Sequence, residues 1–378
     1  MWSATQRQFF SAFCAVWIAS LFALLGLNTA LAQGSETDVD AKPIKPMAVF
    51  DASHTAGVAA IAWAPDRDSV LYSLDMAGFL VATDVVEVKT LWKTKLGGEK
   101  DQQIALAVSP DGSRIFVGGS GGIIRTVQAS DGSPTQEVYS FGHDGAGAVR
   151  SIAVHPKGTG IAAGDVDGYT AFWSSGLSTP VAVAHNHTWP VRWLFFSQSG
   201  EYLLSADPVS ALLWKTNDNR ITEDLSGYLG HKYPGSFSFT MLTFSPQEDA
   251  VVTLNFEGFF VYSFASRSVI RHLNPVPVPD DERAADAIAM SPDRSTLMVL
   301  SGPGMLLLDI ETGAAKGGYL DAAGFPFKIP FNSALAFHPR IPTRFATARM
   351  ILIPDFSTGS ITATHALSVY DSAVFPIP

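Results

Sequence analysis

ALAVSPDGSRIFVGG, residues 105–119, decides the fold: an apolar strand enters a Ser-Pro-Asp-Gly turn, and the turn opens onto a second apolar strand. The same core recurs as AIAWAPDRDSVLYS (60–73), SIAVHPKGTGIAAG (151–164), WLFFSQSGEYLLSA (193–206), MLTFSPQEDAVVTL (241–254), AIAMSPDRSTLMVL (287–300) and ALAFHPRIPTRFAT (334–347). Its turns are anchored at Pro65, Pro110, Pro156, Gln198, Pro246, Pro292 and Pro339, spaced 42 to 48 residues apart. A period of roughly 40 to 50 residues accommodates four short strands. Such a sheet cannot bury both faces until neighbours stack around an axis. The expected fold is therefore all-β, a seven-bladed β-propeller over residues 47–378.

Finer features agree with this reading. Second and third strands are expected to meet at Gly-bearing turns, as in Met76-Ala77-Gly78, Asp167-Gly168, Glu257-Gly258 and Pro303-Gly304, because glycine supplies the positive φ of tight hairpins. Gly118-Gly119-Ser120-Gly121-Gly122 is the same hairpin in blade two, since the Lys and helix of a phosphate-binding loop do not follow it. Residues 47–50 resemble a last strand but precede the first full repeat. They are expected to pair beside residues 367–371 and close the ring through the two chain ends.

The N-terminus is a different kind of sequence. After Arg7, residues 9–27 carry no charge, and Ala30-Leu31-Ala32 supplies a small-x-small cleavage pattern. Residues 1–32 read as a signal peptide cleaved after Ala32, residues 33–46 as a flexible linker, and the destination as the periplasm or secretion. Membrane association is expected only if the segment stays uncleaved. Cys14, the one cysteine, lies inside it, so the mature chain would hold no disulfide, thiolate metal site or covalently attached c-type haem. Cleavage removes Arg7 and leaves 24 basic against 35 acidic residues, without Lys/Arg clusters, which argues against nucleic acid as a partner.

The chain resembles the WD-repeat family over residues 47–371. The resemblance rests on the Ser109-Pro110-Asp111-Gly112 turn, on Gly142-His143 and Gly230-His231, on weaker counterparts at His54 and His185, and on Trp173 and Trp214 ending third strands. In that family a His, a hairpin Asp, a strand Ser or Thr and a Trp form a buried hydrogen-bonded lock. The resemblance implies His143, Asp167 and Trp173 as the lock of blade three, with Ala163 at the Ser/Thr position. Most other blades are expected to lack two or more members.

The repeat accounts for most residues that would otherwise suggest chemistry. Histidines fall at turns between blades or beside the anchor prolines. His185-Asn186-His187 has no further ligand at a diagnostic spacing, so no metal and no cofactor is expected. No nucleophile elbow, phosphate loop or zinc-protease helix is present. The period stretches after blades four, five and six, at residues 226–239, 274–286 and 317–332. Loops of more than about 12 residues in a compact fold are more often functional than idle. These carry Tyr228, Lys232, Tyr233, Phe237, Asp280, Asp281, Arg283, Phe325, Phe327 and Lys328. Together with Trp189 they are the candidate partner-binding residues, since aromatics favour interfaces. The sequence thus points to a non-catalytic periplasmic scaffold that binds another protein through one rim. Two alternatives stay open: an accessory subunit of a periplasmic redox complex, whose partner would be a cytochrome or quinone-cofactor dehydrogenase, and a propeller hydrolase or lyase.

Overall fold

The turns that anchor the repeat join the first and second strand of each blade. Ser109 Oγ donates to Asp111 Oδ1 (2.5 Å) and accepts the Arg114 N–H (2.9 Å), while the Gly112 N–H reaches the Ser109 carbonyl (2.8 Å). Gly112 has φ +72°, a conformation that costs glycine little. Ser291 and Asp293 repeat this geometry in blade six. In blades three and seven a histidine replaces the serine. His155 Nδ1 accepts the Lys157 N–H (3.2 Å) and His338 Nδ1 accepts the Arg340 N–H (3.1 Å). The opposite ring nitrogen then donates to the next blade, His155 to the Gly200 carbonyl (3.0 Å) and His338 to the Asp68 carbonyl (3.1 Å). One side chain thereby stabilises its own turn and fastens two blades together.

The computed structural model describes residues 42–44, 46–50, 54, 56–97, 102–139, 147–226, 241–245, 247–255, 258–273, 287–301, 304–312, 315–321, 329–355 and 360–371. Among them every regular element is a strand, and the strands form seven sheets. Blades one to five are antiparallel meanders, each built from four consecutive strands. Their first strands, beginning with Val58–Trp63, Gln103–Val108, Val149–Val154 and Trp193–Phe196, lie next to one another around the axis. The outer strands alternate between exposed and half-buried positions, as in Lys89–Lys95 with its three lysines. Charge along an open strand edge discourages pairing with a foreign strand.

Stability comes from apolar packing between neighbouring blades. Phe172 of blade three packs on Trp214 of blade four at 5.3 Å between ring centroids and 60° between planes. Ala162, Val191, Leu194, Leu203 and Leu212 complete that interface. Glycines set the approach distance: a Cβ at Gly118 would lie 2.5 Å from Val149 Cγ1, and one at Gly164 would lie 2.5 Å from Val191 Cβ. These two second-strand glycines each make room for a valine that leads into the following blade.

The ring closes as the sequence indicates. Ala48–Phe50 pairs antiparallel with the third strand of blade seven, Ala48 opposite Val369 and Phe50 opposite Leu367. Ala48 and Phe50 are buried against Ala346, Ala348, Val58 and Trp63, whereas Val49 faces water. The seam to blade one is further fixed by Arg340, which meets Asp68 at 2.6 Å, and by the Trp63 indole N–H on the Ala336 carbonyl (3.1 Å). The expected linker over 33–46 needs one correction. Lys42–Ile44 is a strand, parallel to Ala315–Asp321 and in register Lys42 to Tyr319 through Ile44 to Asp321, so blade six has five strands. The open outer edge of that blade offers backbone partners which three residues suffice to use. Residues 1–40, which include the expected signal peptide, lie outside the described residues.

Candidate functional site: the hairpin face

The ends of the second and third strands define one face of the ring, and blade four shows how a repeat is locked there. The Trp214 indole N–H donates to Ser205 Oγ (2.7 Å), and Ser205 Oγ bonds His187 Nε2 (2.8 Å). His187 Nδ1 lies 2.8 Å from Ser210 Oγ and 3.6 Å from Asp207 Oδ2. A single proton arrangement satisfies the whole chain: Trp N–H to Ser oxygen, Ser O–H to Nε2, and Nδ1–H towards Ser210 and Asp207. Asp207 Oδ1 also accepts the N–H groups of Val209 (2.7 Å) and Ser210 (2.5 Å), which ends the strand and shapes the hairpin. Burial alone would raise the Asp207 pKa, but His187 and these N–H groups outweigh it and hold the carboxyl below 3.8.

Blade one has three of the four members. His54 Nδ1 meets Asp75 Oδ2 at 3.0 Å and its Nε2 meets Ser73 Oγ at 2.7 Å, both pairs buried. Thr83 stands where the tryptophan would be, opposite Leu71 as Trp214 is opposite Leu203. In blade three the buried carboxylate is Asp165, whose Oδ1 accepts the Asp167 (3.0 Å) and Tyr169 (2.8 Å) N–H groups, while Asp167 itself is exposed. This corrects the expected role of Asp167. Burial raises the Asp165 pKa, since those N–H groups do not fully offset it. Trp173 is buried as expected, but its indole N–H finds no acceptor among the described residues, for Ala163 occupies the place of Ser205. His143 lies outside the described residues. Blade four therefore carries all four members of the lock and blade one three of them, so the lock extends beyond the blade in which the sequence placed it.

Two neighbouring candidates explain the misassignments. His185-Asn186-His187 offers two histidines, and only His187 is turned into the lock; His185 is exposed and stacks on Tyr169 at 4.3 Å. Strand register decides between them, and the linear sequence does not display it. Asp165 and Asp167 present the same ambiguity two residues apart. The lock also positions the loop before blade four, because Asp207 Oδ2 accepts the Thr188 and Trp189 N–H groups, each at 3.2 Å. Trp189 is thus fixed on the hairpin face with 46% of its surface exposed. Tyr228, Lys232, Tyr233, Phe237, Asp280, Asp281, Arg283, Phe325, Phe327 and Lys328 lie outside the described residues.

Blade seven departs furthest from the repeat, in a way the sequence reading did not anticipate. Its second and third strands are Arg344–Asp355 and Ser360–Asp371, 12 residues each, where the corresponding strands of other blades have 5 or 6. Six pairs, Met350 with His365 through Asp355 with Ser360, continue past the blade end. At about 3.3 Å per residue the hairpin extends roughly 20 Å further than its neighbours. The first strand, Ile329–Phe337, lengthens with it and pairs Ile329 with Leu352. Much of the stretched segment 317–332 is consequently strand and not loop: Ala315–Asp321 and Ile329–Phe337 enclose only residues 322–328.

Among the described residues no group of His, Cys, Asp and Glu is arranged to hold a metal, and no helix is long and apolar enough to cross a membrane. The architecture is that of a seven-bladed β-propeller with locked hairpins. Residues 135–174, which include the second and third strands of blade three, match the family described as WD domain, G-beta repeat, and the chain is a propeller of WD-repeat type. No curated protein matches the sequence.

Proposed function

We propose that this chain is a non-catalytic, periplasmic protein-binding scaffold that engages its partner on the hairpin face. A WD-repeat propeller suits an interaction scaffold, and the elongated hairpin of blade seven is the observation that carries the more specific reading. Residues 360–366 read SITATHA, without charge and rich in β-branched residues. Among the described residues no strand pairs with the outer side of that stretch, since Ala48–Phe50 covers only residues 367–369. An uncharged open edge of this length is a template onto which an extended segment of another protein adds as a strand. Export to the periplasm rests on the apolar segment 9–27 and on Ala30-Leu31-Ala32.

Replacing residues 350–365 by Asn-Gly would return this hairpin to the length of the others. The shortened protein is expected to keep its strand content and cooperative unfolding while losing a partner that the full chain retains in affinity purification from periplasmic extract. Retention of every partner by a folded, shortened protein would overturn the assignment.

A further inference from the structure

The fourth strand of blade three, Ala182–His185, lies within residues 168–191, a run that holds no Lys, Arg, Asp or Glu. The fourth strands of blades one, two, four, five and six each carry charge, from the three lysines of Lys89–Lys95 to Glu137, Arg220, Arg271 and Lys316. Blade seven is closed by only three residues, Ala48–Phe50, which Lys45 and Asp51 flank in the sequence. Charge is one of the devices that keep an open edge from pairing with another chain. Blade three goes without it along its whole outer strand.

Side chains alternate along this edge. Ala182 and Ala184 pack on the core between blades three and four, while Val181, Val183 and His185 face water, the two valines with 60% and 44% of their surface exposed. His185 stands opposite Tyr169 of the third strand and stacks on it at 4.3 Å between ring centroids, which continues the patch inward with an aromatic pair. Both ends of the edge are bounded. Pro180 has no N–H to offer a neighbouring strand, and His187 turns away into the lock of blade four. Residues 181–185 remain, with Val183 at their centre, and among the described residues no strand pairs with their outer side.

We infer that this edge is the contact between two copies of the chain, which pair their blade-three outer strands antiparallel about a two-fold axis at Val183. A two-fold contact has to accept its own image. In this register Val183 meets Val183 of the partner subunit and Val181 meets His185 of the partner subunit, so no like charges stand opposite each other. Net charge selects the occupant. At −10 the copies repel over most of their surface, and the repulsion is least where neither contributes a formal charge. A protein recognised by its basic charge would find no carboxylate to bind here. Antiparallel pairing turns the two hairpin faces in opposite directions, so each copy keeps its own face open. Such a short edge buries less surface than a permanent dimer requires, and the dimer forms reversibly at micromolar concentration.

Sedimentation velocity on the purified mature protein across the micromolar range tests this contact. The expected result is a monomer–dimer equilibrium that strengthens with added salt, because salt screens the repulsion between like-charged copies. Val183→Lys sets two cations against each other at the axis and is expected to weaken the dimer by about tenfold or more. Val269→Lys, at an exposed place on the fourth strand of blade five, should leave it unchanged. Cys14, the one cysteine, is absent from the mature protein, so Val183→Cys is expected to give a disulfide-linked dimer on mild oxidation and Val269→Cys none. A monomer at every concentration, or a dimer that Val183→Lys leaves intact, overturns the contact. No other protein takes part, so failure here leaves the hairpin assignment standing, and retention of every partner by the shortened hairpin leaves this contact standing.

Discussion

Blade four and blade seven end the same pair of strands in opposite ways. In blade four Asp207 follows the second strand at once, captures the N–H groups of Val209 and Ser210, and turns the chain back under a His187–Ser205–Trp214 lock. In blade seven Ala348 pairs with Leu367 as Ala206 pairs with Ala211 in blade four, and Arg349 stands where Asp207 stands. An arginine accepts no hydrogen bond and cannot cap the turn, so the ladder runs on through Asp355 and Ser360. Tyr370, stacked on Phe345 at 5.0 Å, fills the site of the tryptophan. The Asp207 cap thus ends the hairpin of blade four, whereas in blade seven no such cap stands at the blade end and the ladder continues.

The comparison breaks first at the lock itself. Trp214 is among the largest fully buried side chains, and Trp214→Ala is expected to cost about 3–5 kcal/mol in urea unfolding; a cost near 1 kcal/mol would mean that the lock is incidental to blade four. Blade seven depends instead on the chain ends. Phe50→Ala is expected to cost around 3 kcal/mol, whereas Val49→Ala, on the exposed side of the same strand, should be nearly neutral. Equal effects at the two positions would disprove closure by that strand.

Acidification separates the two regions by pH. Burial lowers the His338 pKa below 6.5, with Asp68 only partly opposing, and Nδ1 is already occupied by the N–H groups of Arg340 and Ile341. The unfolded chain then takes up a proton that the folded one refuses, so the seam's contribution is present above about pH 6.5 and declines below it. Asp207, with its pKa lowered, contributes above its unfolded value of about 4 and loses that contribution as pH falls through the folded value. His338→Gln should flatten the stability slope below about pH 6.5, while Asp207→Asn should cost stability at neutral pH and flatten the slope only below about pH 4. The smallest effect comes from adding the missing hydroxyl to a lock: Ala163→Ser places it beside the Trp173 N–H, which has no acceptor among the described residues, and is expected to stabilise by roughly 1 kcal/mol.

The fold was legible because each turn carries its own chemistry. Seven anchors marked seven blades, and the apolar residues 47–50 ahead of the first repeat signalled closure. Lys42–Ile44 escaped notice because three residues containing a proline show no alternation; they are ordered by the edge of blade six and not by their own preference. The long hairpin was hidden by Pro354, which suggests a strand end, although proline is tolerated near a ribbon tip. Trp189, expected at the rim from its place beside Pro190 in a turn, is exposed on the hairpin face. His187 and Asp165 were displaced by neighbours of the same type two residues away, because only strand register tells them apart.

The most direct test places a photo-crosslinking residue at Ile361 on the long hairpin, and separately at Val88, which is exposed on a turn at the opposite end of blade one. Irradiation of cells that produce the protein is predicted to yield a discrete protein adduct from position 361 and none from position 88. An adduct from position 88 alone would contradict the hairpin face as the working surface of this propeller.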